Sequence, residues 1–239
     1  MGVSKVRAQG FRDISSVKQE RFGVLDETVD GRKYRYALAG GVTLDPGKLT
    51  VAAASVANHL NRTIAATVSA GASKVSINLG ATAATADQYA DGQFVINDAT
   101  GEGISYLIAG HAANAGSLAL EVNLDEPIKV GLTVSVSEAS LIANPWSGVV
   151  ISPGAVAHRP TGVPNVSITN AYYGWLQTGG DCAVLSDGII TKGAGAIASD
   201  AVNGAVEIEV AATVTSRIGI APEATVDTEY RLINLTIDK

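Results

Sequence analysis

The chain has 239 residues, of which 46% are hydrophobic and only 5% aromatic, with 26 glycines and a formal net charge of −6. This length allows one large β domain or two small ones to bury a core. A single cysteine excludes an internal disulfide and a thiolate metal cluster, and Pro, Asn or Gly interrupts the long uncharged runs, which excludes a membrane span. The first twenty residues lack the apolar region of a signal peptide, so we expect synthesis in a cytoplasm.

Positive charge is concentrated at the beginning of the chain. Residues 1–50 contain nine Lys or Arg against six Asp or Glu, a balance of +3, whereas the other 189 residues contain eight against seventeen, a balance of −9. An acidic body without clustered cations argues against nucleic-acid binding. Residues 1–21 show no sustained periodicity, and we expect them to form an extended basic arm or to be disordered when isolated.

The pattern after this arm predicts a β-hairpin over residues 22–38. A Val-Asp-Gly turn joins its strands, and Tyr34 and Tyr36 lie two residues apart, which places both rings on one face of a strand. The Ala-rich residues 48–61 are the best helix candidate in the chain. The apolar period then becomes two, which predicts a second hairpin over residues 62–79.

Residues 87–141 are typical of a β-meander. Turns rich in Gly, Asp and Asn separate or precede four apolar strand cores, at residues 94–96, 104–109, 118–122 and 132–136. Strands at this spacing favour a sandwich or a small barrel.

The next interval is unusually poor in charge. Residues 139–180 carry one formal charge, at Arg159, and contain four prolines that argue against a regular core element. Such a segment is either a domain linker or a surface from which water is excluded when subunits assemble. Because linkers are usually polar, the low charge favours an assembly interface.

Short apolar runs between Gly and Asp turns continue to the C-terminus. We therefore expect an all-β protein with two small antiparallel β-sandwich or barrel-like units and an extended N-terminal arm and hairpin. The expected segments are the arm and hairpin (1–50), a first β domain (51–141), a charge-poor connection (142–170) and a second β domain (171–239).

The titratable residues form no recognisable catalytic or metal-binding motif. Three histidines lie far apart and are expected to be surface or loop imidazoles: His59, His111 and His158. Four closely spaced carboxylates lack the alternation of a calcium loop and are expected to be solvated turn residues: Asp87, Asp91, Asp98 and Glu102. We therefore expect neither a metal nor another cofactor.

The remaining candidates are also expected to be structural. Cys182 has no neighbouring cation in the sequence to activate it, which favours a buried thiol over a nucleophile. Glu207 and Glu209 lie two apart, so they share an exposed sheet face and do not oppose each other across a cleft. Because no GxSxG motif is present, a β-rich hydrolase is the weakest hypothesis, and no small-molecule substrate is expected.

The stretch AYYGWLQTGGDCAVLSDGIIT (171–191) concentrates aromatic side chains in a chain that has few. Tyr172, Tyr173 and Trp175 stand together, and a turn is predicted after them at Gly179-Gly180. Three interpretations are open: packing in the core, an anchor between subunits, or a platform on which sugars stack.

Three further segments accompany this stretch: FGVLDETVDGRKYRYALAGGVTLDPGKL (22–49), DQYADGQFVINDATGEGISYLIAGH (87–111) and RIGIAPEATVDTEYRLINLTID (217–238). Together the four resemble structural proteins in the virions of tailed bacteriophages, which are usually identified as head decoration, or cement, proteins. The resemblance touches both ends and the middle of the chain.

The resemblance implies a non-enzymatic protein of the virion surface that binds the major capsid protein of the assembled head between capsomers. It would stabilise the shell against internal DNA pressure, as a symmetric oligomer, most simply a homotrimer. The backbone of residues 32–38 is expected to extend a neighbour's sheet. The side chains expected at interfaces are Lys5, Arg7, Arg12, Lys18, Arg21, Tyr34, Tyr36, Trp146, Tyr172, Tyr173 and Trp175.

An alternative function belongs to a different class. In it, the chain is a head or tail appendage module that binds host surface polysaccharide. Tyr172, Tyr173 and Trp175 would then provide the stacking platform.

Overall fold

The structure is a computed structural model that describes residues 8–154, 159–210 and 216–238. These residues form β-strands and a single 3₁₀ turn, which confirms the predicted all-β class. In chain order the strands are β1 (Leu25–Glu27), β2 (Lys33–Leu38), β3 (Thr50–Val51), β4 (Arg62–Thr63), β5 (Lys74–Asn78), β6 (Gln93–Asp98), β7 (Ser105–His111), β8 (Ala119–Leu124), β9 (Glu138–Ile142), β10 (Val150–Ile151), β11 (Pro160–Pro164), β12 (Tyr173–Leu185), β13 (Gly195–Ala198), β14 (Val206–Ile208), β15 (Gly219–Ile220) and β16 (Tyr230–Thr236).

The chain divides into two compact units. The larger unit comprises Met1–Ala53 and Pro145–Lys239, and the smaller unit comprises Ala54–Asn144. A ten-stranded sheet forms the larger unit and a six-stranded sheet the smaller one, with antiparallel pairing between the strands. The predicted segment 51–141 differs from the smaller unit by three residues at each end. The other three predicted segments belong together, because β2 and β3 pair with strands of the C-terminal half.

Strand β12 organises the larger unit. Its first half pairs with β2 and β11, and its second half pairs with β16 over seven residues. The turn predicted at Gly179-Gly180 is instead an irregularity within this one strand: the register shifts between Gln177 and Gly179, and Gly180 has a φ of +75°. Glycine tolerates that backbone angle, so the strand bends without ending.

The charge-poor segment is part of the larger unit's own core. It supplies β10 and β11, and Val149, Val163 and Ile168 are each at most 1% exposed. The linker interpretation is therefore wrong, because these residues are paired and buried. Their burial within one unit already accounts for the low charge.

The helix predicted at residues 48–61 is also wrong. Thr50 and Val51 form β3, which pairs with β10 and β11, and only Ala57–His59 forms a turn of 3₁₀ helix, without a side-chain cap. The β-branched residues at the start of the segment favour a strand. The alanines alone do not form an apolar face large enough to pack a helix against the rest of the unit.

The smaller unit is a sheet that nearly closes on itself. Its strand order is β4-β9-β6-β7-β8-β5, and a bridge between Ile64 and Ile77 joins the two ends. Three of the four predicted meander strands are present as β6, β7 and β8, with alternating burial. Residues 132–136 instead form a bridge and a turn with Ser135 at a φ of +58°, and the next strand begins at Glu138.

An ion pair joins the end of the chain to β2 in the larger unit. The guanidinium of Arg35 donates two hydrogen bonds to the carboxylate of Asp238, at 2.8 and 2.9 Å. The side chains are 24% and 18% exposed, so solvent screens the pair only in part. The hydrogen bonds from Arg35 hold the pKa of Asp238 below its ordinary value.

This pair gives a pH-dependent contribution to stability. Because the folded pKa of Asp238 is lowered, the contribution is present above the unfolded pKa and is lost as the pH falls through the folded pKa. We expect Asp238→Asn to lower the free energy of unfolding by about 1 kcal/mol at pH 7. Urea unfolding of both proteins at pH 7 and pH 3 measures this, and a difference that persists unchanged at pH 3 would contradict it.

Candidate functional site

The N-terminal segment, residues 8–21, lies along the larger unit. Ser15 and Tyr173 exchange backbone hydrogen bonds of 3.0 and 2.8 Å. The buried side-chain amide of Gln9 donates to the carbonyl oxygens of Asp13 and Tyr173. The described part of the predicted arm is thus already ordered on its own chain, because these bonds satisfy polar groups of both partners.

An aromatic cluster lies beneath this segment and consists of Phe11, Tyr34, Tyr36, Tyr173 and Trp175. β2 and β12 pair with Tyr36 opposite Trp175, and their rings meet edge to face at 5.3 Å. Phe11 comes from the N-terminal segment and stacks on Tyr34 at 4.1 Å. The indole Nε1 of Trp175 donates to the carbonyl oxygen of Gln9 at 3.1 Å. The cluster therefore binds the segment through both apolar and polar contacts.

The exposed fraction of these rings distinguishes core packing from an intersubunit anchor or a sugar platform. Tyr34, Tyr36 and Trp175 are 2%, 0% and 1% exposed, which corresponds to core packing and leaves no surface for an anchor or a sugar platform. The predicted orientation of Tyr34 and Tyr36 on one face is confirmed. Burial raises the pKa of both phenols. Tyr172 and Tyr173 are half-buried.

Trp146 is half-buried in the larger unit beside β11. Its indole Nε1 donates to the carbonyl oxygen of Thr161 at 3.0 Å. The guanidinium groups of Arg35 and Arg159 lie 4.8 and 5.6 Å from its ring centroid. These distances are typical of cation–π contacts within one chain.

Five cations were predicted at the interface, and the three that the structure describes lie on the surface. Arg12, Lys18 and Arg21 are exposed. The ammonium of Lys18 lies 4.0 Å from the ring centroid of Phe22. Lys5 and Arg7 lie outside the described residues. The N-terminal segment thus carries three exposed positive charges at fixed positions.

A groove opens beside this segment. Its volume is about 450 Å³, within the usual range for small-ligand sites. The groove is lined by Arg12, Arg32, Pro46, Gly47, Asn165, Gln177, Asp181, Cys182, Ala183 and Tyr230.

Hydrogen bonds hold the polar floor of the groove in place. Asn165 donates to the hydroxyl of Tyr34 at 3.1 Å and to Oε1 of Gln177 at 2.9 Å. The amide of Gln177 donates to the carbonyl oxygens of Gly179 and Asp181. The orientation of Asn165 is therefore determined by its neighbours.

The prediction of surface or loop histidines is wrong for two of the three residues. His59 and His111 are 0% and 4% exposed, and the ring of each lies 5.6 Å from that of Tyr89 in the smaller unit. His59 Nε2 donates to the carbonyl oxygen of Thr82, and its Nδ1 accepts from the hydroxyl of Tyr89. His111 Nδ1 donates to a backbone carbonyl, and its Nε2 accepts from the backbone N–H of Tyr89. His158 lies outside the described residues.

This arrangement uses both nitrogens of each imidazole for protein hydrogen bonds. The two rings thus serve as buried structural partners of Tyr89. Desolvation raises the pKa of that phenol to about 12. Within the three described ranges, no group of three His, Cys, Asp or Glu side chains is placed to hold a metal ion.

The four closely spaced carboxylates have different surroundings. Asp87, Asp98 and Glu102 are exposed, as predicted, whereas Asp91 is only 8% exposed. Asp87 accepts the backbone N–H of His111 at 2.9 Å, and both Asp87 and Asp91 have positive φ angles. Aspartate tolerates this left-handed backbone conformation better than most residues other than glycine.

The other titratable candidates are structural. Cys182 is buried, as predicted, and burial raises its thiol pKa to about 12, so it is a poor nucleophile at neutral pH. Glu209 pairs with Arg217. Burial is the largest cause of a raised pKa at the partly exposed Glu207.

Four residues of the site were not predicted from the sequence: Gln9, Asn165, Asp181 and Tyr230. Gln9 is the buried polar residue of the N-terminal segment, and the other three line the groove. Their segments are far apart in the chain, and no sequence motif connects them.

Comparisons with protein-family models, with curated proteins and with solved structures gave no match to this chain. Among the described residues, none of the helical structure is long or apolar enough to cross a membrane.

Proposed function

We propose that this protein is a capsid decoration protein of a tailed bacteriophage. It binds the major capsid protein of the assembled head between capsomers, as a symmetric oligomer and most simply a homotrimer. In this location on the virion it reinforces the shell against the pressure of the packaged DNA. The four sequence segments that resemble such proteins motivate the proposal.

The observation that carries the proposal is the set of exposed cations on the ordered N-terminal segment. Arg12, Lys18 and Arg21 project from a segment that Ser15 and Gln9 fix to the larger unit. Positive charges on a segment that is held in place can steer the protein toward acidic patches and give the contact a defined orientation. Each copy contributes only a modest binding energy, but many copies on one shell together make the shell more resistant to the pressure of the packaged DNA.

Strand addition through β2 is not part of the proposal. β2 pairs with β1 on one side and with β12 on the other. Beyond β1, Tyr36 donates its backbone N–H to the carbonyl of Val24, and Leu38 donates to that of Trp146. The backbone expected to extend a neighbour's sheet is therefore already bonded within its own unit.

The experiment compares shell binding by a charge-deleted variant and by the natural chain. In the triple variant Arg12→Ala, Lys18→Ala, Arg21→Ala, we expect at least tenfold weaker binding to heads assembled without the protein, with a smaller dependence of affinity on salt. Co-sedimentation with purified heads at two salt concentrations measures this. The three substitutions leave Gln9, Phe11 and Ser15 in place, so the aromatic cluster stays covered.

The matched control replaces three exposed lysines outside the segment by Ala: Lys74, Lys129 and Lys192. It changes the net charge by the same amount and is expected to bind normally. Equal loss in both variants would indicate a net-charge effect and would count against a specific basic surface. Heads with and without the protein are also compared by heating, and equal survival would refute reinforcement.

Deletion of residues 1–21 is a less informative test. It would remove Gln9 and Phe11 together with the cations and would uncover Trp175 and Tyr34. Lost binding by that variant would not separate lost charge from lost packing.

Polysaccharide binding through Tyr172, Tyr173 and Trp175 is not favoured by the structure. Trp175 is 1% exposed, so its ring face is not available for stacking on a sugar. Loss of glycan binding in Trp175→Ala would thus report a damaged core.

A further inference from the structure

We propose that the groove beside the N-terminal segment binds a saccharide in its pyranose form. This inference does not depend on shell binding, although Arg12 contributes to both proposals, and it involves a different aromatic side chain from Tyr172, Tyr173 and Trp175. It is carried by three features of the groove: a pre-oriented acceptor, charged side chains of both signs and an exposed aromatic ring.

The first feature is a pre-oriented acceptor. Both amide hydrogens of Asn165 are engaged by Tyr34 and Gln177, so its Oδ1 must point in a fixed direction. Within the described chain this oxygen receives only the weak S–H donor of Cys182, at 3.4 Å. A ligand hydroxyl that donates to Oδ1 would complete the arrangement at little cost in conformational freedom.

The charged side chains extend this pattern. Asp181 lines the groove and accepts a hydrogen bond from Asn234 through Oδ1, so its other carboxylate oxygen, Oδ2, has acceptor capacity left within the described residues. Arg12 makes no ion pair with any carboxylate in residues 8–154, 159–210 and 216–238, so its guanidinium offers donors. The groove therefore presents both donors and acceptors to a ligand.

The third feature is the ring of Tyr230, which is 50% exposed. It rests against the backbone of Gly47: a Cβ at that position would lie 2.6 and 2.7 Å from Cδ1 and Cε1 of the ring. Because this support fixes the ring, little rotamer freedom remains to be lost on binding. A supported aromatic ring is a suitable surface for the C–H face of a pyranose.

These features distinguish the ligand class. A sugar hydroxyl both donates and accepts, and it can thus use Asn165 and Asp181 as well as Arg12. A phosphate would be attracted by Arg12 and Arg32, but it offers few donors to the acceptors of Asn165 and Asp181, and the carboxylate of Asp181 would repel it. An apolar ligand would leave these polar groups unpaired. The groove therefore fits a hydroxyl-rich ring better than an anion or a lipid.

The test titrates the full chain with glucose, galactose, N-acetylglucosamine, glucuronic acid and their short oligomers, and follows backbone amide shifts by NMR. We expect one of these probes to shift amides around residues 165, 181 and 230, with a dissociation constant on the order of 1 mM or lower. No saturable shift at these positions with any probe would overturn the proposal. So would inorganic phosphate binding there more tightly than every sugar.

Three variants assign the contacts. Tyr230→Leu is expected to weaken binding about tenfold, whereas Tyr230→Phe keeps the ring and is expected to stay within about twofold. Asp181→Ala is expected to weaken binding about tenfold through a lost acceptor. Lys192→Ala, far from the groove in sequence, is the control and should bind normally. Unchanged affinity in both Tyr230→Leu and Asp181→Ala would place the site elsewhere and refute the assignment.

Discussion

Trp175→Ala is expected to lower the free energy of unfolding of the larger unit by about 3–5 kcal/mol. The substitution removes the largest fully buried side chain, which packs against Tyr36 and Phe11. It also leaves the carbonyl oxygen of Gln9 without the indole donor. Urea unfolding followed by the fluorescence of Trp146 measures the effect, because that residue is the other tryptophan of the chain and lies in the same unit.

Trp175→Phe is the matched control for this prediction. It keeps an aromatic ring in the cluster and loses only part of the volume and the indole hydrogen bond. We expect a cost of about 1–3 kcal/mol, clearly smaller than that of Ala. Limited proteolysis should show faster cleavage within residues 8–21 in the Ala variant. Equal stability of the natural chain and the Ala variant would contradict the assignment of Trp175 to the core.

His59→Leu is expected to destabilise the smaller unit by about 2–4 kcal/mol. The substitution removes the acceptor of the buried Tyr89 hydroxyl and the donor to the carbonyl of Thr82. The smaller unit contains no tryptophan, so amide hydrogen exchange at β6 and β7 is the appropriate measurement. An unchanged exchange rate at these strands would contradict a structural role for the imidazole.

A double-mutant cycle tests the pair itself. Tyr89→Phe removes the hydroxyl that His59→Leu leaves unpaired, so the double variant should be less destabilised than the sum of the single variants, by about 1–2 kcal/mol. Strict additivity would mean that the two side chains do not depend on each other.

Local sequence patterns predicted the strands but not their partners. The spacing of Tyr34 and Tyr36 identified a strand face because it depends only on the two-residue repeat of a strand. The spacing does not reveal that Tyr36 pairs with Trp175, which lies 139 positions later in the sequence. This long-range pairing buries the two tyrosines. It also joins the N-terminal and C-terminal segments, which were predicted as separate, into one unit.

The errors in the predicted elements have a similar origin. Residues 48–61 contain alanines that favour a helix, but Thr50 and Val51 gain backbone partners in β10 and β11. Gly179-Gly180 was interpreted as a turn because glycine usually ends a strand, whereas here it bends β12 between two pairing partners. Tertiary pairing overrides local propensity in both places.

The groove was not predictable for a different reason. Its residues come from the N-terminal segment, the β1–β2 turn, the loop before β3, the residue after β11, and strands β12 and β16, and each is unremarkable in its own segment. What makes Asn165 distinctive is that its amide hydrogens are already engaged. That property exists only after the chain has folded.

The connection between the two units has a consequence for engineering and evolution. β3 and β10 pair as the two arms of a hairpin, and the smaller unit is inserted between them. The entropy needed to close such an insertion grows only with the logarithm of its length, about 0.6 kcal/mol for each doubling. The host sheet is therefore permissive at this site: a shorter turn or a foreign domain with adjacent termini can take the same place, which makes it a natural position for displaying cargo.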